Sequence, residues 1–84
     1  MNWERLSKYS CYADDFDADE VLRQITSGAL IEGPEYYGTI NAWKADDGKF
    51  YGILLQYRNV TEDHTFDSAT ELVNWIGEIL PLIA

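Results

Sequence analysis

Basic residues are scarce in this chain. Six Lys and Arg stand against fifteen Asp and Glu, a formal charge of −9 at pH 7 over 84 residues. So few cations cannot lay down the phosphate-neutralising footprint of a nucleic-acid-binding protein. Cysteine is limited to Cys11, which rules out an internal disulfide. His64 is the single imidazole, and one Cys with one His is half a zinc site. The six glycines are scattered, with no phosphate-cradling loop and no Gly-x-Ser-x-Gly elbow. The longest apolar stretch, Ile76 to Ala84, is interrupted by Gly77, Glu78 and Pro81 and falls far short of a membrane span. The opening MNWERLSKYS lacks the apolar core of a secretory signal, so a cytoplasmic location is expected.

What is present is 46% apolar and 14% aromatic residues, enough to build one modest core and too much for a disordered chain. One domain, residues 1–84, is expected. Its charge projects a negative field about one Debye length, roughly 8 Å, into physiological solvent. That field repels nucleic acid and draws in basic protein surfaces.

Asp17 to Ser27 reads as a helix, with Asp17 as N-cap, Glu20 three residues on, and a stripe of Val21, Leu22 and Ile25. Trp3 to Ala13 suggests a helical turn followed by an extended stretch. Gly33-Pro34 signals a turn. Tyr36 to Ala45 and Lys49 to Arg58 form a hairpin around Asp46-Asp47-Gly48, where glycine accepts positive φ at no steric cost. A second turn is expected over Asn59 to Asp63, and a short third strand over His64 to Phe66. Ser68 and Glu71 open a final helix with a face of Leu72, Val73, Ile76, Ile79 and Leu80, which Pro81 should end. The fold expected is therefore α+β: a three-stranded antiparallel sheet, with or without a fourth N-terminal strand, and two helices packed on one face.

The run Asp14-Asp15-Phe16-Asp17-Ala18-Asp19-Glu20 imitates the first half of a calcium loop. It fails where the loop needs glycine, at Glu20, and where it needs a closing glutamate, at Thr26. Exposed carboxylates this dense are not desolvated, and so are not tuned for acid–base catalysis. A nucleophilic pair would require Cys11 and His64 to meet in space. With no catalytic set in view, a non-enzymatic binder without metal or cofactor is expected. The residues expected to grip a basic partner are Asp14, Asp15, Asp17, Asp19, Glu20, Asp46 and Asp47, with Tyr36 and Tyr37 as aromatic anchors.

The hairpin, the third strand ending in Phe66-Asp67-Ser68, and the helix bearing Leu72 and Trp75 resemble, over residues 41–80, small phage-encoded anti-CRISPR proteins of the type I class. The resemblance implies an inhibitor that binds a host CRISPR surveillance complex and blocks DNA recruitment. It transfers no binding residue. Carboxylates on a rigid scaffold suit such a role, because they can stand in for the phosphates a guide-bearing channel is built to hold. Two other readings share these features: an immunity protein or antitoxin that neutralises a basic nuclease, and a homodimeric accessory protein. The chain is expected to be a monomer or a homodimer.

Overall fold

The computed structural model describes residues 7–35 and 37–83. The first helix, α1 (Ala18–Thr26), starts where its cap dictates. The Asp17 carboxylate accepts from the backbone N–H groups of Asp19 (3.1 Å) and Glu20 (3.3 Å), covering two donors that a helix start leaves open. The Glu20 side chain turns along the helix instead of back, accepting from Arg23 and Gln24. At the other end Gly28 donates to Ile25 and Ala29 to Gln24, the paired bonds that close a helix C-terminus.

Five strands, rather than three, make the sheet: β1 (Lys8–Ser10), β2 (Leu30–Glu32), β3 (Thr39–Lys44), β4 (Phe50–Gln56) and β5 (Asn59–Phe66). They lie side by side in chain order. β1 and β2 are parallel, joined across α1, and every later pair is antiparallel. The N-terminal extended stretch is thus realised as β1, whereas the helical turn expected over its first residues lies outside the described residues. β2 escapes sequence reading because Leu30 and Ile31 are both buried on opposite faces, which leaves no alternation to detect.

The second hairpin turn is corrected as well. Asn59 to Asp63 is strand, and the reversal is made by Tyr57 and Arg58 alone. Both adopt positive φ, 53° and 68°, the conformation that a two-residue turn between twisted strands demands. Asn-Gly is its usual sequence signal, and neither residue is there. Each left-handed non-glycine residue costs roughly 1–2 kcal/mol. Tyr57→Asn with Arg58→Gly should therefore stabilise the protein by about 1 kcal/mol, and raise the melting temperature by about 4–8 °C, in thermal unfolding. An unchanged midpoint would refute the strain. Opposite this turn the β4–β5 register slips between Leu54 and Leu55, leaving Thr61 as a bulge.

Alternation places Ile31, Ile40, Ala42, Phe50, Gly52 and Leu54 on one sheet face, where both helices pack. α1 contributes Val21 and Ile25, one turn apart and fully buried. The last helix, α2 (Ala69–Ile83), contributes Leu72, Val73, Trp75, Ile76, Ile79, Leu80 and Ile83. Ser68 caps it, its hydroxyl accepting from Glu71 N–H (3.2 Å). Pro81 does not end this helix. Its side chain is exposed, and the last turn is secured by buried Ile83, whose carbonyl accepts from Tyr37 N–H. No described element covers the opposite face of the sheet, which carries half-buried Trp43 and Tyr51 stacked at 5.8 Å, with Ile53 and Leu55 beside them. No helix among the described residues is long and apolar enough to cross a membrane.

Candidate binding end of the sheet

Topology sorts the charged residues. β1 and β2 finish at the same end of the sheet, termed here the upper end, and α1 starts there. The run from Asp14 to Glu20 therefore sits at the upper end, as a single 3-10 turn (Ala13–Asp15) leading into the helix start. Glu32 and Glu35, which have no sequence link to that run, arrive at the same end on β2 and the loop after it. Phe16 anchors the run by packing on Gly77 of α2, where an added Cβ would lie 3.3 Å from its ring.

The same sorting separates the expected contact residues. Asp46 and Asp47 occupy the β3–β4 turn, at the lower end, so they do not join the acidic run. Asp47 is also engaged locally. Its carboxylate accepts from Lys49 N–H and from the Tyr51 hydroxyl, both at 2.9 Å. These two bonds, the Lys49 amide foremost, hold Asp47 below its ordinary carboxylate range, and the Tyr51 phenol is raised in return. A carboxylate lowered in the folded state stabilises it above the unfolded pKa of about 3.9 and loses that contribution as pH falls through the folded value. Tyr51→Phe should move the Asp47 midpoint upward in an NMR pH titration, and a fixed midpoint would show the phenol to be irrelevant.

Asp17 is committed to the helix cap and Glu20 to Arg23 and Gln24, whereas Asp14, Asp15 and Asp19 are exposed. Tyr37 is 66% exposed in the β2–β3 loop at the upper end. Tyr36 lies outside the described residues.

Sequence reasoning missed the other exposed apolar side chains. Among the described residues the large ones are Tyr12, Tyr37, Tyr57, Val60 and Leu82. They belong to the end of β1, the β2–β3 loop, the β4–β5 turn, the start of β5 and the end of α2, and all five lie at the upper end. Four segments remote in sequence thus place apolar groups at the same end of the sheet as the acidic run. No periodic signal could have revealed this, because it depends on strand order.

The buried groups at this end register the same negative surroundings. Cys11 is 3% exposed, and its thiol is pushed up to about 11 by burial and then by Asp15. The half-buried Tyr9 phenol is raised by burial, then by Glu20 and Asp17. A thiol held protonated in this way is a poor nucleophile at neutral pH. Cys11 also follows β1 at one edge of the sheet, whereas His64 is on β5 at the other, so the two form no catalytic pair. His64 meets Glu62 instead, Nε2 to Oε1 at 2.9 Å, with its ring 5.3 Å from that of Trp75. Among the described residues no three His, Cys, Asp or Glu are grouped to hold a metal ion. No protein-family model, curated protein or solved structure matches this chain.

Proposed function

We propose that this protein is a non-enzymatic acidic binder that inhibits a nucleic-acid-binding machine by docking its upper end on that machine's basic surface. One observation supports the reading above others: the acidic run and every exposed large apolar side chain among the described residues share that end. Tyrosines provide large contact area at low entropic cost, and carboxylates around them steer the approach of a cationic partner. The carboxylates act as stand-ins for phosphates, and the basic channel of a CRISPR surveillance complex offers a matching surface.

Titration of the protein into a type I surveillance complex tests this. Target-DNA binding should be lost at a fixed stoichiometry, and molar sodium chloride should abolish the association. DNA recruitment that continues undiminished at large excess and low salt would overturn the CRISPR assignment. If a basic nuclease is neutralised in the same assay format instead, the partner is a toxin and the chain an immunity protein.

A further inference from the structure

A cleft opens at the carboxyl ends of the only parallel strand pair among the described residues. Its origin lies in the backbone. Cys11 N–H donates to the Glu32 carbonyl (2.9 Å), carrying the β1–β2 pairing one residue beyond Ser10. Tyr12 is still extended, at φ −133° and ψ 155°. With Cys11 buried in the core, Ser10 and Tyr12 face the opposite side of the sheet together. On the neighbouring strand Gly33 N–H donates to the Ile40 carbonyl (2.9 Å), after which Pro34 has no N–H to continue the ladder. The two chains then diverge, one into α1 and the other towards β3. Divergence at the carboxyl ends of parallel strands leaves a crevice, the usual position of ligand sites in sheets that contain them.

The cleft is about 460 Å³ and is lined by Ser10, Tyr12, Glu32, Gly33, Pro34 and Glu35. Its floor is fixed: an added Cβ on Gly33 would stand 3.3 Å from the Cβ of Ile40. Two carboxylates, one hydroxyl and a half-exposed tyrosine ring therefore surround a space large enough for one long side chain. Of the two lining carboxylates, Glu32 has a loose ion pair with Lys8, which lies outside the lining, Nζ to Oε2 at 3.8 Å. The Glu32 and Glu35 carboxylates in the lining disfavour an anion there.

We infer that this cleft receives the guanidinium group of an arginine side chain presented by the protein partner. A planar guanidinium donates two parallel N–H bonds to one carboxylate and stacks on a phenol ring, whereas an ammonium group does neither as well. The inference rests on the binding role proposed above and names the anchor that role would use.

The test is a titration of the isotope-labelled full chain with N-acetyl-arginine amide, its citrulline analogue and its lysine analogue, followed by amide NMR shifts. The arginine compound should shift Ser10, Tyr12, Glu32, Gly33 and Glu35, and uncharged citrulline should shift none of them. Lysine should bind about threefold to fivefold more weakly, and Tyr12→Ala should erase that preference. Glu35→Gln should weaken arginine about tenfold, with an unchanged melting curve showing that the fold is intact. Equal binding of lysine and arginine, shifts centred on Asp14 to Asp19, or no shifts at all would each overturn the assignment. If surveillance-complex inhibition survives that failure, the cleft alone is rejected; if it fails too, so does the binding role.

Discussion

A single methyl group added at Gly52 is expected to cost the fold about 3 kcal/mol. Gly52 lies on the core face of interior strand β4, opposite Ala42 on one side and His64 on the other, beneath α2. A Cβ there would stand 2.6 Å from Cζ3 of Trp75 and 3.0 Å from Cδ1 of Leu72. Both side chains are buried, so neither can swing into solvent. A domain of this kind holds only about 5–15 kcal/mol in total, so Gly52→Ala should be visible at once in urea unfolding. Trp75→Phe should relieve part of the clash by withdrawing the outer ring. Among the described residues it forfeits no hydrogen bond, because Trp75 Nε1 is buried with no acceptor among them. The double variant should therefore be more stable than the sum of the two single effects, by about 1–2 kcal/mol. Strict additivity would mean that the indole and the β4 backbone are not in the contact described.

Neutralising Asp14, Asp15 and Asp19 together, each to Asn, should weaken capture of the proposed basic partner on the order of thirtyfold at low salt, chiefly through slower association. These three are chosen because their carboxylates are exposed, whereas Asp17 and Glu20 are occupied within α1. Asp46→Asn, at the lower end, should change affinity hardly at all. The melting temperature of the triple variant should hold or rise, since removing like charges relieves self-repulsion. Equal losses from Asp46→Asn and from the triple variant would mean that attraction is spread over the whole surface, with no particular end engaged.

Local chemistry made much of this fold legible. Asp17, Ser68 and the Asp47-Gly48 turn each act through atoms within a few residues of themselves, so their effects can be read from spacing alone. The α2 face and the central hairpin follow from hydrophobic period. β1 and β2 are three residues each and show no usable period, and their pairing depends on a crossover that spacing does not encode. The Tyr57-Arg58 turn is held by the strands around it against its own preference, so its residues point away from the answer. The acidic run was visible as a string of letters. Its separation from Asp46 and Asp47, and its company of Tyr12, Tyr57 and Leu82, arise only when the strands are set in order.

That order also governs how the chain assembles. From β2 onward each strand joins the one just made, so only short loops need to close and the ribbon can grow by successive additions. β1 is different: it has three residues, bonds on one side only, and must be brought back across residues 11–29. Hydrogen exchange is therefore expected to show it opening before the ribbon beyond it. The segment that leads into the acidic run thus follows the shorter edge pairing of the sheet, and a partner that grips it would add to what holds that edge.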